Sequence, residues 1–202
     1  MRGVFVTGTD TGVGKTVLSA ALLLRYPGAA YWKPIQTGSE DDTAEVHRLS
    51  GGRVIDQGIR LPDPVSPHLA AQRAGIAIDV DALQSRESNR AVIVEGAGGA
   101  LVPVNESQVM ADLMEKLGLS IVVAARTTLG TINHTLLTIE ALRARSLKIA
   151  GVVMIGDRSS DNRAAIEHYG NVSVLAEMPH FDPLTPECLQ AWSESLPRDL
   201  IT

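Results

Sequence analysis

The segment Gly8-Thr9-Asp10-Thr11-Gly12-Val13-Gly14-Lys15-Thr16 follows the apolar run Val4-Phe5-Val6 and opens an apolar helical stretch at Val17. Glycines and threonines between a strand and a helix leave main-chain N–H groups free for phosphate oxygens, and the helix N-terminus favours negative charge there. In such a loop Lys15 reaches the terminal phosphates and the Thr16 hydroxyl can ligate Mg²⁺. Counting back from Gly14 puts Thr9 where the usual pattern has its first glycine, with Gly8 one residue early. Glycine-rich turns also form for purely steric reasons. The flanking strand and helix therefore carry the reading of a nucleotide-binding loop, whose contacts are Gly12, Val13, Gly14, Lys15 and Thr16.

A second run, Ala91-Val92-Ile93-Val94, leads into Glu95-Gly96-Ala97-Gly98-Gly99. A carboxylate at a strand tip can share a metal with Thr16; the alternatives are a salt bridge or a cap. The small residues after it are read as a loop that lets backbone approach a ligand closely. Lys33-Pro34-Ile35-Gln36-Thr37-Gly38 offers another cation with a hydroxyl four residues later. Asp42, just before Thr43-Ala44-Glu45-Val46, belongs to the first turn of a helix, as a cap or as a metal ligand.

These residues need strands to bring them together. Apolar runs at Gly3 to Val6, Ala91 to Val94, Ile121 to Ala125, Ile149 to Met154 and Val172 to Leu175 read as strands buried on both faces, with a weaker one at Ala30 to Trp32. Helical spacing marks Val17 to Arg25, Val109 to Leu117, Ile132 to Arg143 and Asn162 to Tyr169. A closing helix falls within Leu184 to Leu196, capped by Thr185 with Pro186 in its first turn. Gly51 to Gly75, punctuated by Pro62, Pro64 and Pro67, reads as an irregular surface excursion before a helix. The alternation predicts an α/β fold of the P-loop NTPase type: a mostly parallel sheet, helices on both faces, and ligands at the carboxyl ends of the strands.

Composition predicts one compact domain over residues 1–202: the chain is 45% hydrophobic and 20% charged. A net charge of −5 argues against a general nucleic-acid or acidic-membrane binder. The single cysteine, Cys188, excludes an internal disulfide and is expected to be buried. With no signal peptide before the first strand and no apolar run of membrane length, the expected location is cytoplasmic.

Taken in order, the phosphate loop, Lys33-Pro34-Ile35-Gln36-Thr37-Gly38, Ser66-Pro67-His68, Val94-Glu95-Gly96-Ala97-Gly98-Gly99 and Leu129-Gly130-Thr131-Ile132-Asn133-His134 resemble the dethiobiotin synthetase family. The likeness extends from the first strand to about His134 and is looser beyond. It implies an enzyme that converts ATP, CO₂ and 7,8-diaminopelargonate to dethiobiotin, ADP and phosphate, with Mg²⁺ as cofactor. By the same resemblance Lys15 and Lys33 are phosphate and carbamate cations, and Thr11 and Thr37 are hydroxyl contacts. Thr16, Asp42 and Glu95 are the magnesium set, with Asp41 the alternative after a one-residue shift. The turn Gly130-Thr131-Ile132-Asn133 would hold the substrate's distant carboxylate from the second subunit of a homodimer. His134 is expected to serve packing or structural hydrogen bonding.

Where that family commonly has Asn-Asp to read the base, this sequence has Gly156-Asp157. Main-chain groups near Pro179 to Phe181 are left to contact the base, so weak discrimination among nucleotides is expected. Two other readings share the fold. A partitioning-type switch ATPase carries a lysine five residues before the loop lysine, where this chain has Asp10. An amidoligase resembling the cobyrinate amidases would need an attached glutaminase domain, for which 202 residues leave no room.

Overall fold

The structure, a computed structural model, describes residues 1–55, 58–85, 87 and 89–201. Among these residues the strands are β1 (Gly3–Gly8), β2 (Ala30–Trp32), β3 (Ile35–Thr37), β4 (Arg53–Ile55), β5 (Ile59–Leu61), β6 (Val92–Gly99), β7 (Ser120–Arg126), β8 (Ile149–Ile155) and β9 (Val174–Met178). The helices are α1 (Lys15–Arg25), α2 (Asp42–Ser50), α3 (Pro67–Ala74), α4 (Met110–Leu117), α5 (Thr131–Arg143), α6 (Ser160–Gly170) and α7 (Pro186–Ser193). The main sheet runs β4-β2-β6-β1-β7-β8-β9, all parallel. Its strands read as unbroken apolar runs because both faces are covered. One layer is built on Leu18, Leu22, Val46, Leu49 and Leu189 from α1, α2 and α7. The other is built on Ala70, Leu113, Ile139 and Ile166 from α3 to α6.

Strand order is what builds a site. Connections from β1 go one way to β2 and those from β6 go the other way to β7, so β1 lies at the place where the winding reverses. In the central register Trp32 lies opposite Val94, and Val6 lies opposite Glu95. Lys33, Glu95 and the loop after β1 are thereby neighbours at one sheet end.

Several expectations need correction. Gly51 to Gly75 is not mainly irregular: β4 joins the sheet edge, β5 pairs with β3 in a separate two-stranded parallel ribbon, and α3 lies inside the stretch. Residues 56 and 57 of that stretch lie outside the described residues. Between Gly75 and β6 the described residues make only a short 3₁₀ turn at Val80–Ala82. The expected loop at Glu95 to Gly99 continues β6. Cys188 is half-buried rather than buried, since it sits in the first turn of α7 with its thiol near the Thr185 carbonyl at 3.1 Å. Thr185 does cap α7, its hydroxyl accepting from the Cys188 N–H.

Candidate functional site

The loop after β1 is fixed by its glycines. A Cβ at Gly8 would stand 2.6 Å from Val13 Cγ2 and 2.8 Å from the Asp10 carbonyl oxygen, so the glycine one residue early is the one the turn requires. Gly14, the N-cap of α1, has φ +94°, in the left-handed region that favours glycine. Lys15 is buried, and its Nζ donates to the Asp10 carbonyl at 3.1 Å. Burial lowers its pKa, with Glu95 opposing and Lys33 reinforcing the shift. Thr11 and Gly12 face solvent. Arg126, at the end of β7, donates to the Thr11 carbonyl at 2.9 Å and lies 3.5 Å from the Asp10 carboxylate. It ties the loop to the neighbouring strand.

Beside this loop a charged group is set into the sheet end. Lys33 Nζ donates to Asp42 Oδ2 and, at 2.9 Å, to Glu95 Oε1. The Thr16 hydroxyl lies 3.0 Å from Asp42 Oδ1 and 3.1 Å from Glu95 Oε1; its one proton serves one of them at a time. The Tyr31 phenol donates to the other Glu95 oxygen at 3.0 Å. Glu95 and Tyr31 are both fully buried. Burial disfavours the charged form of Lys33, yet Glu95 and Asp42 outweigh it and raise its pKa. Burial, then the Glu95 and Asp42 charges, push the Tyr31 phenol well above the ordinary tyrosine range.

Asp41 goes elsewhere. Its carboxylate caps α2 by accepting from the Ala44 N–H at 3.0 Å and pairs with Arg60 at 2.9 Å. Asp42 is the aspartate that meets Thr16.

Two cavities flank the loop and share Gly12, Gly14 and Val17. The larger, about 820 Å³, brings Thr11, Lys15, Lys33, Thr37, Asp42 and Glu95 around one space. Gln36 also lines it, and its Oε1 is buried with no hydrogen-bond partner. The smaller, about 310 Å³, has Val13, Ile155, Met178, Pro179, Phe181 and Leu184 among its walls, a size and character suited to a flat ring. Gly156 has φ +134°, and a Cβ there would stand 2.4 Å from Thr127 Oγ1. Asp157 is exposed.

Gly130 to Asn133 border neither of these cavities. Gly130 caps α5 with φ +94°, and Thr131 is tied to the Arg126 carbonyl at 2.5 Å. His134, expected to pack or to hydrogen-bond structurally, is exposed. Its place in the outward side of the first turn of α5 explains the difference. Sequence reasoning gave no role to Tyr31, Gln36 or Arg126. Tyr31 sits in an apolar run and Arg126 at a strand end after five apolar residues, so neither announces a partner distant in sequence.

For Mg²⁺, Thr16, Asp42 and Glu95 offer hydroxyl and carboxylate oxygens only, the donor type that ion takes. Among the described residues no three His, Cys, Asp or Glu gather into a metal-binding group, so phosphate oxygens or water would complete the shell. The residues fit the ion.

A wholly parallel main sheet with a glycine-braced phosphate loop at its winding reversal defines the P-loop NTPase class. Solved structures agree on the fold. A plasmid partition protein from Borrelia burgdorferi superposes with TM-score 0.61 at 9% identity, over 96% of this chain and 95% of that one. The cell division ATPase MinD of Pyrococcus furiosus gives 0.59 at 14%, over 98% and 90%. Residues 2–188 match the family described as AAA domain. The ATP-dependent dethiobiotin synthetase BioD of Paramagnetospirillum magneticum is 52% identical over 188 residues, covering 92% of this chain and 91% of the relative. BioD of Sphingopyxis alaskensis is 49% identical, covering 95% and 94%. The bifunctional protein BioCD of Bordetella avium is 48% identical over 97% of this chain, which spans 43% of that relative. The chain belongs to the dethiobiotin synthetase family.

Proposed function

We propose that this chain, acting as one domain over residues 1–202, joins CO₂ to 7,8-diaminopelargonate at the expense of ATP, giving dethiobiotin, ADP and phosphate. Family membership carries the coarse statement, an ATP-using ligase of biotin synthesis. The observation that supports the finer one is the convergence of Lys15, Lys33, Asp42, Glu95 and Thr16 on a single cavity beside the phosphate loop.

An alkyl amine with a pKa of about 10.4 is almost wholly protonated at neutral pH, and presenting it neutral costs roughly 4–5 kcal/mol. Two lysines facing the cavity disfavour a substrate ammonium. One neutral amine adds to CO₂ and loses a proton, forming a carbamate whose negative charge the same lysines stabilise. The carbamate oxygen then takes the γ-phosphoryl group while ADP leaves. The second amine attacks the carbamoyl carbon, a proton is lost, and phosphate departs as the five-membered urea closes. Positioning of the two amines and the phosphoryl group is the main task. Thr11 and Thr37 supply hydroxyls to phosphate and substrate. Bound by Thr16, Asp42 and Glu95, Mg²⁺ would neutralise charge on the β- and γ-phosphates.

The smaller cavity takes the base, and Gly156, which has no side chain to read it, favours weak discrimination among triphosphates. The substrate's distant carboxylate is held by the first turn of α5 from a second copy of the chain, where free N–H groups attract an anion. Exposed Leu129 and Leu137 on that segment support the homodimer.

The test is phosphate release with bicarbonate, with and without the diamine, using Mg²⁺ with ATP, CTP or GTP and following the urea by mass. Diamine-dependent release matched one-for-one by product is expected, with all three nucleotides supporting turnover. Release that ignores the diamine would overturn the assignment, and strict dependence on ATP would remove the weak discrimination.

A further inference from the structure

The two oxygens of Glu95 stand in different surroundings. Oε1 meets Lys33 and Thr16 on the cavity side, at 2.9 and 3.1 Å. Oε2 meets the Tyr31 phenol at 3.0 Å. Tyr31 projects from β2 into the layer formed with α1 and α2, and both it and Glu95 are fully buried. A buried carboxylate needs hydrogen bonds at both oxygens, and one whose second oxygen is unanchored turns about its last torsion to find them.

We infer that Tyr31 is a positioning residue: its hydroxyl anchors Oε2 of Glu95 so that Oε1 alone is presented to Lys33, Thr16 and the bound divalent ion. The inference rests on the magnesium set proposed above. Tyr31 borders neither cavity beside the loop, so it would act only through the carboxylate. Nothing in the sequence Ala30-Tyr31-Trp32 separates this phenol from an ordinary core ring. Its role comes from the register that sets β2 against β6, with Tyr31 opposite Ile93 and Trp32 opposite Val94. Partners that orient metal-ligating groups govern metal affinity by about 10- to 100-fold.

Tyr31→Phe keeps the ring and removes only the hydroxyl. With saturating ADP present, free Mn²⁺ is counted by electron paramagnetic resonance during titration of wild type and variant. The expected result is Mn²⁺ binding weakened about tenfold or more in Tyr31→Phe, while ADP affinity measured in EDTA stays within about twofold. In turnover, the Mg²⁺ concentration for half-maximal rate rises by the same factor and the rate at saturating Mg²⁺ recovers. Unchanged Mn²⁺ affinity would overturn the inference while leaving the magnesium set standing. Metal-free ADP binding that falls in parallel would also overturn it, because the phenol would then be holding the whole site together. A wild-type ADP complex that takes no Mn²⁺ would remove the magnesium set and the inference with it.

Discussion

Adjacent aspartates at 41 and 42 show how one residue step separates two kinds of work. Asp41 accepts from the Ala44 N–H and holds the start of α2, and that hydrogen bond leads the causes that lower its pKa. Asp42, the first residue of the helix, turns its carboxylate back to Thr16 and Lys33. Asp41→Ala is therefore expected to lower stability by about 1 kcal/mol, a fall of roughly 2–4 °C in the thermal midpoint, without changing the Mg²⁺ requirement. Asp42→Asn should raise the Mg²⁺ needed for half-maximal rate by about tenfold or more and, because it removes a charge partner of the buried Lys33, lower the midpoint as well. Calorimetry and Mg²⁺ titration of the two variants separate these outcomes; a reversed pattern would return the metal role to Asp41. The two lysines divide similarly. Asp42 and Glu95 raise the pKa of Lys33, whereas burial lowers that of Lys15, a shift the proposed phosphate contact would oppose. From sequence both were expected to be phosphate and carbamate cations, and the carboxylates that distinguish them are distant in the chain.

At the scale of elements, the central strands were legible because burial on both faces makes an apolar run and little else does. The expected Ala30 to Trp32 coincides with β2, and every other expected strand overlaps an observed one. The ribbon of β3 and β5 was not legible. Its strands are three residues each, and prolines around them read as loop punctuation. Yet this ribbon holds the site, because β5 passes close under the chain that leaves β2. A Cβ at Gly58 would stand 2.2 Å from the Lys33 carbonyl oxygen and 3.1 Å from that of Pro34. Gly58→Ala must push that backbone aside, which costs about 1–3 kcal/mol as overpacking. It also displaces Lys33 from Glu95, and a misplacement near 1 Å costs about 10²-fold in rate. A turnover number at least about tenfold lower, with a lower thermal midpoint, is expected. Unaltered values of both would mean that the ribbon does not fix Lys33.

At the scale of the whole molecule, the strand-tip rule placed the loop, Lys33 and Glu95 at one end of the sheet, and the fold put them there. That rule reaches no further than one copy of the chain. The first turn of α5 borders neither flanking cavity in this copy, while Leu129 is fully exposed and Leu137 more than half so. Asn133 and Leu137 lie four residues apart, on one face of the helix. Large apolar side chains in that position gain nothing from water, and burial against a second copy would also bring α5 N–H groups to the partner's cavity. If the proposed dimer is right, Leu137→Arg places a charge in a desolvated contact and should shift the sedimenting species from two chains to one. ADP binding, whose proposed contacts all come from one chain, should survive within about threefold, whereas the KM for the diamine should rise by about tenfold or more. The split between nucleotide and diamine is what a shared site demands and what simple misfolding would not give. An active wild-type monomer, or a Leu137→Arg chain that still sediments as two, would confine the substrate's carboxylate to a site within a single chain.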